Sequence, residues 1–137
     1  TDKLDLNKLA EEVVEDRNGA AIIFNGITRD QTDGRKVLFL EYEAYIPMAE
    51  SKLEEIAKEM CSKWDVKVVI AHRLGRVNIG ESSLIVAVGS PHRESAYLAS
   101  QYSVDRIKQV VPIWKKEVFE DSAIWVGSEK QKPAICS

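Results

Sequence analysis

The sequence has few cysteines and no metal-ligand pattern. Two cysteines occur among 137 residues, Cys61 and Cys136, too few to suggest a disulfide framework. Cys61 falls on or beside the apolar face of a helical pattern, so we expect a core thiol. No arrangement of His, Cys, Asp and Glu has metal-ligand spacing, and no glycine loop of the P-loop or dinucleotide type occurs. These absences fit a reducing, cytoplasmic setting best.

The sequence also lacks an excess of positive charge and a long apolar run. The chain has 19 Lys+Arg against 22 Asp+Glu and a net charge of −3, whereas nucleic-acid-binding domains usually carry a strongly basic face. No apolar run approaches the ~20 residues that span a bilayer, and no signal-peptide pattern occurs at the start. We therefore expect neither nucleic acid nor a membrane as partner. Because the chain begins at Thr1 without a methionine, the natural N-terminus is left open.

Length and composition predict a single soluble domain. The chain is 45% hydrophobic and 30% charged, and a chain of this length buries roughly two-thirds of its unfolded surface without needing disulfides or metal. We find no repeat or linker and expect one domain over residues 1–137, with a tail from about residue 128. Whether the tail sequence "KQKPAICS" folds over a pocket or stays loose is left open.

Apolar spacing and turn residues predict the element order α-β-β-α-β-β-α-β-β, which is typical of an α+β domain with a mixed or antiparallel sheet. A polar loop with an Asp-Gly turn separates the first two strands at residues 29–36. The last helix is predicted to start with Ser90 as N-cap and Pro91 as first residue, and to end before Pro112. The predicted helices are 5–17, 47–64 and 91–111, and the predicted strands are 20–28, 37–45, 66–75, 82–90, "IWKKEVF" and "SAIWVG".

Three basic positions could bind an anion. Arg29 directly follows a buried strand, although many loop arginines are only solvated charges. His92 and Arg93 fall in the first turn of the last helix, where free N–H groups and the helix dipole favour an anion. The pair His72-Arg73, at a strand end, could be structural or interfacial, and we expect a structural role.

Lys108 and Lys115 flank the apolar run "VVPIW". One interpretation is that both lysines snorkel, laying their stems on apolar surface. The other is that they are chemical groups in a partly dry pocket, acting as acid, base or nucleophile. By pattern alone the first interpretation is favoured.

The length of the last helix separates His92 from Lys108. His92 and Lys108 are 16 residues apart, which is roughly 24 Å at about 1.5 Å per residue. One small-molecule site can hardly use both ends of this helix within one subunit. A two-fold dimer that brings one helix start to the other helix end would explain both.

Five segments occur in an order and spacing that resemble a known family: "FNGITRD", "LEYEAYIPMAE", "HRLG", "SPHRESAY" and "IKQVVPIWKKE". Together they are similar to the large, catalytic subunits of molybdopterin synthases, the MoaE-like family, from about Gly19 to Trp125. The resemblance implies an α/β-hammerhead fold, which agrees with the predicted α+β order.

The resemblance also implies the site residues. Two lysines would be catalytic, Lys108 nearest the sulfur donor and Lys115 polarising the substrate or assisting the leaving group. A covalent lysine adduct and acid–base work are both left open, as is the order of the sulfur additions. A basic residue that members often carry after the tryptophan matching Trp125 is left unassigned. The implied substrate-binding residues are Arg29, His92, Arg93, Phe24 and Val104, with the His-Arg pair reaching the site from the neighbouring subunit.

The implied reaction installs two sulfurs on cyclic pyranopterin monophosphate, giving the dithiolene of molybdopterin in molybdenum cofactor biosynthesis. The donor is a thiocarboxylate on the C-terminal Gly-Gly of a small ubiquitin-like subunit. A homodimer of large subunits with one small subunit at each end makes a heterotetramer. No cofactor or metal is implied, because the sulfur arrives activated. The alternative is a non-catalytic anion- or peptide-tail-binding module, which would tolerate Lys108→Ala.

Overall fold

The computed structural model describes residues 3–120 and 122–126. In this part of the chain three helices and eight strands follow one another. None of these helices has the length and apolarity that crossing a membrane would require. The elements are α1 (Leu6–Glu11), β1 (Ala20–Ile27), β2 (Gln31–Thr32), β3 (Arg35–Ala44), α2 (Ile46–Lys63), β4 (Lys67–His72), β5 (Gly75–Asn78), β6 (Ser82–Ser90), α3 (Arg93–Val110), β7 (Ile113–Phe119) and β8 (Ala123–Val126).

The strands form two antiparallel sheets. Sheet 1 has the order β1-β6-β4, and sheet 2 has the order β2-β3-β7-β8 with β5 also paired to β3. Every strand pair within the described residues is antiparallel. The predicted α+β class is confirmed, and of the two sheet types left open the antiparallel one is observed.

One face of sheet 1 carries the main core. Val86 and Val88 of β6 are fully buried there, against Ile56 and Met60 of α2 and several residues of α3. The residues that α3 buries are mostly small, Ala96, Ala99, Ser100 and Ser103 with Ile107. Small side chains at helical spacing let a helix lie close to the sheet, so α3 crosses sheet 1 closely along its length.

The first predicted helix is longer than the observed one. Asp5 caps α1 by accepting a hydrogen bond from the backbone N–H of Lys8, at 3.1 Å, and the helix already ends at Glu11. Val13 is nonetheless fully buried, while Val14 is 70% exposed. The apolar spacing therefore reflected packing of a non-helical segment against β6, not a longer helix.

The start of α3 also differs from the prediction. Ser90 is the last residue of β6, paired with Ala20, and its hydroxyl donates to the carbonyl of Asp65 at 2.9 Å. The helix begins at Arg93, with His92 as N-cap. Sheet pairing and the bond to Asp65 keep Ser90 in the strand, and its hydroxyl accepts only a long hydrogen bond, of 3.4 Å, from the backbone N–H of His92. The end of α3 before Pro112 is confirmed.

Of two glycine-containing turns, one passes the chain from sheet 1 to sheet 2 and the other closes a hairpin within sheet 2. The predicted strand 66–75 stops at His72, and Gly75, at φ 81°, opens β5 in the other sheet. In the predicted polar loop, Asp33 and Gly34 have φ values of 51° and 79° and join β2 to β3. This two-residue turn matches the hairpin chemistry that Asp-Gly favours.

One further expectation is wrong. Cys61 is an exposed thiol, not a core residue. It lies in the last turn of α2, where its Sγ is 3.5 Å from the carbonyl oxygen of Val66. The predicted tail from about residue 128 lies outside the described residues.

Candidate active site

A cavity of about 480 Å³ lies where the end of α3 meets both sheets. A volume in this range suits a small molecule or the end of a peptide. Its wall is mainly apolar, with a few polar side chains from separate elements. The lining residues are Phe24, Gly26, Ile27, Tyr42, His72, Ser83, Leu84, Ile107, Lys108, Val111, Ile113 and Lys115.

Sheet 1 contributes one row of residues across its three strands. Leu84 of β6 pairs with Gly26 of β1 on one side and with His72 of β4 on the other. Directly paired residues in antiparallel strands project to the same face, so His72 points the same way as Leu84. A Cβ at Gly26 would lie 3.3 Å from the ring of Phe24. The absence of a side chain at Gly26 therefore lets the Phe24 ring pack in the cavity wall.

Sheet 2 contributes the facing row. Tyr42 of β3 pairs directly with Lys115 of β7, so both side chains share one face. Ile113, two residues earlier on β7, lies on the same face and also lines the cavity. Lys116 points to the other face, where its ammonium lies 5.8 Å from the ring centroid of Trp125. The alternation of the strand thus separates two adjacent lysines.

The end of α3 closes the third side. Ile107, Lys108 and Val111 line the cavity, and Lys108 lies in the last turn of the helix. The partial negative charge at a helix C-terminus favours a cation there. Lys108 is exposed to solvent and Lys115 is half-buried, so two ammonium groups from different elements reach one apolar cavity.

A buried carboxylate supports β7 behind Lys115. Glu117, 5% exposed, accepts a hydrogen bond of 2.7 Å from the hydroxyl of Thr32. This bond ties the β2–β3 hairpin to β7, two residues from Lys115. Because residues i and i+2 of a strand share a face, Glu117 adds a negative charge on the side of the sheet that bears Lys115.

Tyr42 and His72 join the two sheets across the cavity wall. Their rings meet edge to face, with centroids 5.0 Å apart. Burial raises the pKa of the Tyr42 phenol, while its hydrogen bond with Ser83 acts in the opposite direction. Burial also lowers the pKa of the His72 imidazole, against the opposing effect of its hydrogen bond to the Arg73 carbonyl. Both side chains are therefore held in their neutral forms.

The adjacent Arg73 has a different role. Its guanidinium is buried, donating to the Glu81 carboxylate at 3.1 Å and to the carbonyl of Arg76 at 2.7 Å. Its backbone N–H donates to the carbonyl of Ser83 at 2.8 Å. Arg73 thus braces the turn between β4 and β5, a structural arrangement, whereas its neighbour His72 lines the cavity.

The structure brings some of the predicted site residues together and separates others. Lys108, Lys115 and Phe24 line the same cavity. Val104 lines a neighbouring cavity of about 350 Å³, whose wall also includes Phe24. Phe24 therefore stands between the two spaces.

The remaining predicted site residues lie outside the cavity. Arg29 is an exposed residue just after β1, close in sequence to the lining residue Ile27. His92 and Arg93 are exposed at the start of α3, the end opposite to Lys108. The side chains of these three residues form no hydrogen bond or ion pair with the described residues. The sequence-based separation along the helix is thus present in the structure.

Sequence reasoning missed three polar residues of the wall: Tyr42, His72 and Ser83. His72 stood in the quoted segment "HRLG" and Tyr42 in "LEYEAYIPMAE", yet nothing in either pattern separated them from structural residues. Only the pairing of Tyr42 with Lys115 and of His72 with Leu84 brings them to the cavity. The useful signal would have been a polar residue at the end of a strand that otherwise faces the core.

Comparison with known proteins agrees with this architecture. The family described as MoaE protein matches residues 1–110, most of the sequence. The chain belongs to the MoaE family. A curated relative from Staphylococcus epidermidis, named molybdopterin synthase catalytic subunit, is 44% identical over 131 residues, covering 95% of this chain and 87% of the relative.

Two solved structures are similar in fold to this chain. The structure of molybdopterin synthase from Staphylococcus aureus superimposes with a TM-score of 0.87 at 43% identity, over 90% of this chain and 91% of that one. A complex of subunits 1 and 2 of molybdopterin-converting factor from Helicobacter pylori gives a TM-score of 0.69 at 25% identity, over 85% of this chain and 75% of that one. These matches confirm the predicted fold class.

Proposed function

We propose that this MoaE-family chain, a single domain over residues 1–137, is the catalytic subunit of a molybdopterin synthase. It transfers sulfur from the thiocarboxylated C-terminus of a small ubiquitin-like subunit to cyclic pyranopterin monophosphate, giving the dithiolene of molybdopterin. The synthase names of its relatives support this function. The observation that carries it is that Lys108 and Lys115, from α3 and β7, line one cavity together with Phe24.

The charge and shape of the cavity suit this chemistry. A thiocarboxylate is an anion on an extended chain end, and a half-buried ammonium such as that of Lys115 interacts with an anion more strongly than a fully exposed one does. Lys108, exposed at the end of α3, lies where an entering tail would first meet a cation. Lys115, half-buried beside Tyr42, is placed to polarise the substrate or stabilise its leaving group.

The substrate site is composite, formed by two copies of the chain. Within one copy, His92 and Arg93 lie about 24 Å along the helix from Lys108. The start of α3 has free N–H groups and two cationic side chains suited to the substrate phosphate. In the two-fold homodimer, the start of one α3 completes the cavity at the end of the other, with Arg29 at the edge. One small subunit at each end makes the heterotetramer, and the exposed thiol of Cys61 fits a cytoplasmic location.

The test is reconstitution with purified components. The chain is mixed with cyclic pyranopterin monophosphate and thiocarboxylated small subunit, and dithiolene product is measured over time. Lys108→Ala and Lys115→Ala should each lower the rate by about 10²-fold or more, as expected when a group that stabilises developing charge is lost. Partner binding, measured separately, should persist in Lys115→Ala.

Two matched lysines serve as controls. Lys63 occupies the last turn of α2 as Lys108 does in α3, and Lys116 is the neighbour of Lys115 on the opposite face of β7. Lys63→Ala and Lys116→Ala should keep the parent's rate. If the parent binds the small subunit but forms no product, the enzyme assignment fails and a non-catalytic tail-binding module is the better description.

A further inference from the structure

His72 lies in the cavity without an assigned role. It ends β4, shares its row with Leu84 and Gly26, and lines the same cavity as Lys108 and Lys115. In His72 only one nitrogen is engaged by the described residues.

The engaged nitrogen determines the form of the ring. Nδ1 of His72 lies 2.8 Å from the carbonyl oxygen of Arg73. A carbonyl oxygen can only accept, so Nδ1 carries the proton and the neutral ring has its lone pair on Nε2. The Arg73 carbonyl is itself held, because the Arg73 backbone and guanidinium are both hydrogen-bonded. The ring orientation is therefore set by the backbone turn.

The surroundings keep this ring neutral. Burial lowers the pKa of His72, and the facing groups offer no carboxylate partner to the ring. They are the phenol of Tyr42 from β3 and the ammonium groups of Lys108 from α3 and Lys115 from β7. Two carboxylates of this region have other hydrogen-bond partners, that of Glu81 with Arg73 and that of Glu117 with Thr32.

The proposed sulfur transfer requires a proton acceptor in this cavity. When the thiocarboxylate sulfur bonds to a substrate carbon, the bond from that carbon to its leaving group breaks and the leaving group takes the electron pair. The donor tail and the substrate are then joined through an acyl–sulfur bond. Water must cleave that bond to leave sulfur on the substrate. The ammonium groups donate only, and burial keeps the Tyr42 phenol protonated. Among the described lining residues, His72 is the side chain suited to accept a proton near neutral pH.

We propose that His72 is the general base of the release step, an inference that rests on the proposed function. The oxygen of a water molecule bonds to the acyl carbon while its proton passes to Nε2 of His72. The acyl C–S bond breaks, and its electron pair leaves on sulfur as a thiolate beside the lysine ammonium groups. The tail is released as a carboxylic acid, which ionises in water.

The test separates release from the first transfer. His72→Asn keeps an amide donor near the Arg73 carbonyl, and His72→Gln places a non-basic amide near the position of Nε2. In a single turnover, intact-mass measurement of the small subunit follows thiocarboxylate, joined adduct and carboxylate. Both variants should consume thiocarboxylate, accumulate the adduct and release product about 10²-fold or more slowly than the parent. The parent's release rate should rise with pH through the His72 ionisation, and the variants should lack this rise.

The outcomes distinguish a failure of the proposed function from a failure of the proposed role of His72. A parent that makes no dithiolene at all overturns the proposed function, and this inference with it. An active parent with variants that release product at the same rate overturns the role of His72 alone. Folded variants that bind the small subunit but fail to consume thiocarboxylate also overturn it, because the defect then precedes release. Circular dichroism and the dimer mass establish that each variant is folded.

Discussion

Gly89 of β6 lies beneath the segment that follows α1, and this contact permits no side chain. A Cβ at this position would overlap the backbone carbonyl oxygen of Val13 and lie 2.9 Å from Nδ2 of the Asn18 side chain. Both contacts belong to a short segment that lies flat on sheet 1. Gly89→Ala must therefore push this segment away from the strand, since the obstacle is backbone.

The cost follows from what the segment would lose. Val13 is fully buried, and exposing such a side chain costs about 1.5–3 kcal/mol. Asn18 donates to the Val13 carbonyl at 3.2 Å, a bond whose loss costs about 0.5–1.5 kcal/mol. Alanine is preferred over glycine in a strand by about 0.5–1 kcal/mol, which offsets part of this. We expect Gly89→Ala to lower the free energy of unfolding by about 1–4 kcal/mol.

Urea unfolding at a fixed protein concentration measures this change, because the stability of the proposed dimer would depend on concentration. Val13→Ala and the double variant complete a mutant cycle. The double variant should lose less than the sum of the single changes, since a displaced segment has already lost the burial of Val13. A Gly89→Ala protein within about 0.5 kcal/mol of the parent would show that the segment accommodates a side chain at this position without losing its contacts.

Two further predictions concern the dimer and pH. Mixed dimers of Lys108→Ala and Arg93→Ala chains should regain about half the parent's activity, because one composite site then carries both changes and the other none; no recovery in verified mixed dimers would contradict the composite site. Burial lowers the pKa of His72 in the folded state, so the unfolded chain binds this proton more tightly. The free energy of unfolding should be at its highest above the ordinary histidine pKa of about 6.5. It should fall as the pH drops from there towards the pKa of His72 in the folded protein. Urea midpoints from about pH 5 to 7.5 should rise with pH in the parent and in His92→Asn but flatten in His72→Asn.

Much of the fold was accessible from local pattern. Helix α2 was predicted from its apolar period, helix α3 from the residues at its two ends, including the stop before Pro112, and the strands β1 and β6 from their apolar runs. The errors fell where tertiary contacts outweighed local preference. Ser90 has a good capping side chain, but its pairing with Ala20 keeps it in a strand. Val13 has helical spacing from Leu9, yet its burial comes from contact with Gly89.

The candidate site was predictable only in part. Lys108 and Lys115 were recognised because they flank an apolar run, and the separation of His92 from Lys108 follows from helix rise alone. Pattern could not reveal that Tyr42 pairs with Lys115 or that His72 shares a row with Leu84. Strand register depends on partners distant in the sequence, and no local propensity encodes it.

The amino-acid sequence was enough to predict the α+β class, the two ends of α3 as separate cationic positions, and the family. These depend on short-range periodicity, on the fixed rise of a helix and on segments that keep their order. The folded structure was needed to see that two sheets and the end of α3 enclose one cavity, and that His72 enters it as a neutral imidazole. Burial, ring tautomer and shared strand faces are properties of contacts between distant segments, and these contacts exist only after the chain has folded.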